Sequence, residues 1–227
     1  AVLANLGLEA YRSAHYSLSL QAWKEAWRRT RDAKPATARA VADRVASELA
    51  GLYARLGRMQ ELGELLAEVN GRVFAGPGGE KIEQARGGLW SMENEPGVCF
   101  RCGPLALLSI QLAHDAGKAQ PEVVRRHASP PTGFSLPTVA KISREMGMNY
   151  RMAYRAPGAT VVVPSVVHWK VGHYAAIVRR EGGRFLIQDP TFRNDVWATE
   201  AALDAEASGY FLISEKQPLP MGWRAVD

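Results

Sequence analysis

At 227 residues with 47% hydrophobic side chains, the chain can bury one sizeable core, or one core and a smaller helical appendage. Its net charge of +5 comes without a run of five like charges, which argues against a nucleic-acid arm or a polybasic membrane anchor, so no nucleic-acid partner is expected. The longest apolar runs, 105–113 and 160–167, fall short of the roughly 20 residues that cross a bilayer, and no membrane span is expected.

The chain starts at Ala1 rather than a methionine and stops just after a proline-rich stretch, the pattern of a piece of a longer protein. From Leu8 to about Val69 the pattern is helical. Tyr11, His15 and Leu18, then Ala22, Trp23, Ala26 and Trp27, recur at three and four. Pro35 breaks it. A second helix is predicted over 37–56, with Val41, Val45, Leu49, Leu52, Tyr53 and Leu56 on one face and Gly57 as its C-terminal cap. A third covers 60–69. The stretch "ELAGLYARLGRMQELGELLAEV" looks like a tetratricopeptide-type hairpin of about one and a half units, and such repeats need neighbours to bury their faces. Residues 1–74 are therefore read as a helical region.

Ala75-Gly76-Pro77-Gly78-Gly79 reads as a linker, with a short helix from Glu80 to Trp90, and the segment 75–93 is taken to separate two domains. Beyond it come an apolar helix, 105–116, a second helix, 136–146, and extended segments at 160–167, 173–180 and 184–189. The fold class is α+β with an antiparallel sheet over 94–217, followed by a tail, 218–227.

Cys102-Gly103-Pro104 sets a cysteine at the start of the apolar helix, with a proline whose missing N–H is harmless in a first turn. Unpaired backbone N–H groups and the positive end of the helix dipole favour a thiolate there. Cys99 and Cys102 are the two cysteines, half of a four-cysteine zinc site, so neither a metal nor a cofactor is expected. Their spacing also fits a dithiol redox pair, although in thioredoxin-like sites both cysteines follow a strand. A disulfide that silences Cys102 stays open as well.

A base and its orienter come from His173 and Asp189. The segments 173–180 and 184–189 flank Glu181-Gly182-Gly183 and read as a hairpin. With Arg180 opposite Arg184, Asp189 faces Ala175, and His173 and Asp189 become diagonal neighbours on one face, Cβ atoms about 5 to 8 Å apart. A slip of one residue would separate them. A thiol nucleophile needs a base to take its proton and a carboxylate to orient that base, and Cys102, His173 and Asp189 supply all three. Asp189-Pro190 also fits a simple turn. His168 is the nearest rival base. His15, His114 and His127 lack a matching carboxylate in the sequence pattern and are read as structural or surface residues.

Over 98–214 the chain resembles the C39 peptidase family, papain-like domains that cut bacterial leader peptides, often after two small residues such as Gly-Gly. The likeness rests on Cys102-Gly103-Pro104 with its helix, Gly133-Phe134-Ser135-Leu136, the run 140–151, Pro164 to Trp169, Val171-Gly172-His173-Tyr174, Asp189-Pro190 and the strand Gly209 to Ile213. It implies a papain-like fold, a central helix packed on an antiparallel sheet, with Cys102, His173 and Asp189 as catalytic triad. It also implies a peptide or protein substrate, for which Gly78-Gly79 and Gly87-Gly88 of the same polypeptide are candidates. A bacterial protein, cytoplasmic or exported within a longer chain, is implied too. In one place the chain departs from the family. The glutamine expected six residues before the cysteine, an oxyanion donor, is Pro96 here, and Asn94 is the nearest substitute. Loss of such a donor typically lowers rates by about 10²- to 10³-fold. Alternative readings are a non-catalytic peptide-binding module and acyl transfer of the transglutaminase sort.

Overall fold

The computed structural model of the chain describes residues 1–191 and 194–227. It divides into two compact units, Ala1–Glu95 and Pro96–Asp227.

The first unit is built of helices α1 (Val2–Arg12), α2 (Tyr16–Thr30), α3 (Ala36–Leu56), α4 (Met59–Glu68) and α5 (Pro77–Asn94). Gly57 closes α3 with φ of 69°, the left-handed cap its position predicts. The helical period before Pro35 conceals a break. Ala14, fully buried with φ of 61°, turns the chain between α1 and α2 without glycine or proline to mark it. What holds the turn is the packing it permits. Gly7 lies flat against the Trp23 ring, where a Cβ would meet Nε1 at 2.3 Å, and Trp23 Nε1 donates to Ala4 O at 3.1 Å. The glycine-rich stretch read as a linker differs in outcome as well. Pro77 suits the opening of a helix, so Gly78 and Gly79 form the first turn of α5, Gly87 and Gly88 lie at its middle, and the helix belongs to the first unit.

The second unit runs α6 (Pro96–Cys99), α7 (Cys102–His114), a 3₁₀ turn (Ala116–Lys118), α8 (Pro121–Arg126), α9 (Leu136–Glu145), β1 (Tyr150–Arg155), β2 (Ser165–Trp169), β3 (His173–Glu181), β4 (Arg184–Asp189), β5 (Asn194–Thr199), α10 (Glu200–Glu206), β6 (Ala207–Ser214) and β7 (Trp223–Ala225). Among the described residues the sheet has seven strands in the order β5-β4-β3-β2-β6-β1-β7, each paired antiparallel with its neighbours. β2 starts only at Ser165 because Pro164 has no N–H to give the ladder. The Ser135 hydroxyl accepts the Thr138 N–H and caps α9.

Helices α7 and α9 cover one face of the sheet. Ala106, Leu107 and Ile110 of α7 meet Val139 and Ile142 of α9 over Val166, Tyr174, Ala176 and Leu212. Burying a side chain the size of Leu107 contributes about 1.5–3 kcal/mol. The first six residues of β3 are all buried, so both faces of the sheet are covered along that stretch. The stretch 96–114, with mean hydropathy 1.2, has the length and apolarity of a membrane helix. Its second part, α7, is a core helix packed on β3 and α9.

The β3–β4 hairpin departs from the expected register and then regains it. Gly182 and Gly183, at φ of 54° and 74°, make a two-residue turn that sets Glu181 opposite Arg184, one step off. The ladder then shifts between Arg179 and Ile177, leaving Val178 as an extra residue, and Ile177 faces Ile187 and Ala176 faces Gln188. The bulge cancels the slip, and beyond it the strands pair as the sequence predicts.

Candidate active site

Cys102 is the first residue of α7, three positions earlier than the apolar run indicates, and Pro104 falls inside the first turn, where N–H groups have no partner in the helix. The residue after it must be glycine. A Cβ on Gly103 would meet Val139 Cγ2 at 2.5 Å, and Val139 is itself fully buried. Gly103→Ala should therefore lower stability by about 1–3 kcal/mol and displace the sulfur. Urea unfolding together with the rate of Cys102 alkylation measures both effects, and Val139→Ala in the same chain should restore much of each.

His173 opens β3 and Asp189 closes β4, at 2% and 3% exposure. The imidazole Nε2 lies 2.7 Å from Asp189 Oδ2, which leaves Nδ1 for the Cys102 sulfur, with which the ring also hydrogen-bonds. The Tyr174 backbone N–H donates to the same sulfur. The other oxygen of Asp189, Oδ1, accepts the Thr191 N–H at 3.0 Å, so the carboxylate starts a turn and holds the imidazole at once. Burial alone would keep the ring neutral, but Asp189 and then the Cys102 sulfur outweigh it and raise the His173 pKa to about 10. Burial likewise works against a charged Cys102, yet the imidazolium beside it brings the thiol below its usual range. Both shifts favour the thiolate and imidazolium forms over the neutral pair.

His168 stands apart from this pair. Its Nδ1 is 2.9 Å from Ser208 Oγ, its ring lies 4.7 Å from that of Tyr174, and burial followed by the nearby His173 lowers its pKa, which keeps it neutral. His15 meets Ser13 Oγ. His127 does have a carboxylate, Glu145 at 2.9 Å, contrary to its sequence surroundings, because α8 and α9 bring together residues 18 apart. Asn94 ends α5, exposed, and its amide donates to Trp90 O of the same helix at 2.8 Å. As it stands, that donor is engaged by its own helix. Pro96 takes part only through its carbonyl, which accepts from Ser129 Oγ at 2.7 Å.

Ser129 escaped the sequence reading. It is 5% exposed, its Oγ also accepts the Phe100 N–H at 3.1 Å, and its N–H donates to Gly97 O at 2.9 Å, so it clamps the segment leading into Cys102. A serine before Pro130-Pro131 looks like turn sequence, and no local pattern reveals so distant a partner. A cavity of 760 Å³ is lined by Gln111, His114, Met146 and Tyr150 at the far end of α7, away from the sulfur. Among the described residues no group of three or more His, Cys, Asp or Glu is placed to hold a metal.

A thiol at the start of a buried helix, joined to an imidazole and a carboxylate delivered by a sheet, has the makings of a thiol hydrolase. Residues 100–218, more than half of the chain, match the model of the Peptidase C39 family, and the chain belongs to that family of cysteine peptidases. Two solved structures are similar in part. One is a double glycine motif protease from an AMS/PCAT transporter in complex with the leader peptide, at 26% identity, covering 49% of this chain and 81% of that one, TM-score 0.42. The other is the N-terminal peptidase C39 like domain of the toxin secretion ATP-binding protein from Vibrio parahaemolyticus, at 15% identity, 49% and 97% coverage, TM-score 0.38. No curated protein matches the chain.

Proposed function

We propose that this chain is an active thiol peptidase in which Cys102 is the nucleophile, His173 the acid and base, and Asp189 the group that orients His173. The observation that carries the reading is the buried chain of contacts from the Cys102 sulfur through the His173 ring to Asp189. The thiolate attacks a peptide carbonyl carbon, and the developing oxyanion meets the N–H groups that open α7. His173 gives its proton to the departing amine, leaving a thioester on Cys102. Water then loses a proton to His173 and attacks the thioester, and the C–S bond breaks to release the acid and restore the Cys102 thiolate beside a protonated His173.

Family membership supports a peptide ending in two small residues as substrate. We take it to be a separate molecule. Gly78-Gly79 and Gly87-Gly88 lie within α5, and a helical bond must unwind before a cleft can hold it extended. A non-catalytic, peptide-binding role is the second reading, motivated by Pro96 in place of a glutamine and by the engaged Asn94 amide.

Alkylation by iodoacetamide across pH separates the two. At pH 6 wild-type Cys102 should react at least about tenfold faster than in His173→Ala, where the thiol returns to the ordinary range near 8.5 or above. Equal profiles would refute an activated pair and favour the binding module.

A further inference from the structure

His168 has no part in the chemistry above, yet the sheet is distorted around it. It stands opposite Tyr174 in the β2–β3 ladder. On its other side the β2–β6 ladder breaks: Val167 faces Phe211 and Trp169 faces Ala207, so Ser208, Gly209 and Tyr210 fall opposite His168 alone. Bulges of this kind re-aim side chains beside active sites. Glycine makes this one possible, because Gly209 has φ of 90° and a Cβ on it would meet Cε2 of the Tyr154 ring at 2.4 Å. The bulge brings Ser208 Oγ to 2.9 Å from His168 Nδ1. That oxygen also accepts the Tyr210 N–H at 3.3 Å, so its own hydrogen is directed at Nδ1 and the proton of the neutral ring falls on Nε2. Held in this way, the imidazole lies with its centre 4.7 Å from that of the Tyr174 ring and the two planes at 46°. Tyr174 in turn reaches the nucleophile twice. Its backbone N–H donates to the Cys102 sulfur, and its ring, 7% exposed, packs on Gly103, where a Cβ would meet Cδ2 at 3.4 Å.

We propose that His168 is a positioning residue for the peptidase reaction: clamped by Ser208, it wedges the Tyr174 ring against Gly103 and so keeps the Tyr174 N–H on the Cys102 sulfur. This rests on the reading of Cys102 as the nucleophile. Tyr174 is the second residue of β3, just beyond the turn at Gly172, whose φ is 79°. A strand end is where the ladder restrains the backbone least, so the side chain must supply the anchor. A hydrogen bond to a charged acceptor depends on distance and on angle, and a small swing of the ring carries the N–H off the sulfur. The same anchor bears on His173, the preceding residue of the strand. His168 acts here through its shape and its fixed tilt, and it touches neither the reacting atoms nor the proton in flight.

The test compares wild type with His168→Ala, His168→Phe and Ser208→Ala in the full chain, by iodoacetamide labelling of Cys102 across pH, by kcat and KM on a peptide with a Gly-Gly site, and by urea unfolding. At pH 6 His168→Ala should label about tenfold more slowly than wild type, the thiolate having lost a hydrogen bond, and kcat should fall by about the same factor with KM unchanged. His168→Phe restores a ring and should come back to within about threefold of wild type, and Ser208→Ala, which frees the tilt, should be about threefold slow. A lowered urea midpoint with an unmoved labelling profile means packing alone and overturns the proposal. His168→Phe as slow as His168→Ala also overturns it, since the ring would then act through its proton, and so does a rise in KM at constant kcat, which would put His168 on the substrate. If His168→Ala does not fold, labelling of Ser208→Ala at the wild-type rate overturns it. Wild type labelling no faster than His173→Ala would sink the nucleophile reading, and this proposal with it; each of the other results sinks this proposal alone.

Discussion

Cys102→Ala is expected to abolish cleavage of a synthetic peptide carrying a Gly-Gly site, and His173→Ala to do nearly the same, a loss of about 10⁵- to 10⁶-fold in kcat. Asp189→Asn should lose about 10⁴-fold. The order follows from the roles. Without the sulfur no thioester forms, and without the imidazole the thiol is both neutral and buried. An amide at position 189 keeps the size of the carboxylate but can no longer stabilise the imidazolium. The losses should appear in kcat with KM nearly unchanged, because none of these side chains needs to hold the ground-state peptide. Single-turnover kinetics with each variant checks this. Cleavage by Cys102→Ala at the wild-type rate would refute the mechanism.

The second large effect is on stability. His173 and Asp189 are both almost wholly buried, so Asp189→Ala strands an imidazolium without its partner and should lower stability by about 3–5 kcal/mol in urea unfolding at pH 7. The pair also predicts a stability profile. The folded His173 pKa, about 10, lies above its unfolded value near 6.5, so its contribution is whole below pH 6.5 and fades as pH rises toward 10. Cys102 is shifted the other way, so its contribution is whole above about 8.5 and is lost as pH falls through its lowered folded pKa. Between about 6.5 and 8.5 both states bind one proton on this pair, and stability should be level there, dropping on either side. Urea midpoints at pH 5.5, 7.5 and 9.5 test the shape. Both limbs should flatten in His173→Gln, where no imidazole titrates; limbs as steep as in wild type would refute the assignment.

Much of this was legible from local signals. The α3 helix with its Gly57 cap, the start of α9 at Ser135-Leu136-Pro137 and the run 184–189 as β4 each carry a residue type that physically ends or begins an element. That Cys102 begins a helix, His173 begins a strand and Asp189 ends one was readable because those boundaries are local too. What escaped depends on distance in sequence. Ala14 takes a left-handed turn because Gly7 and Trp23 must meet, and the helical period runs on across the break. Ser129 acts on residues about thirty positions earlier. Asn94 was a sound candidate by residue type, but an exposed asparagine at a helix end finds a carbonyl one turn back.

The bulge at Val178 gives the hairpin a parity rule. A strand alternates its faces, so His173 and Asp189 share a face only when the residue opposite Asp189 is an even number of positions from His173. The two-residue glycine turn alone, continued as an unbroken ladder, would set Asp189 opposite Ala176, an odd step away, and the extra valine shifts the pairing by one and restores the even step. Smoothing the bulge into the ladder without removing a residue would leave a well-formed ribbon with its histidine and aspartate looking away from each other.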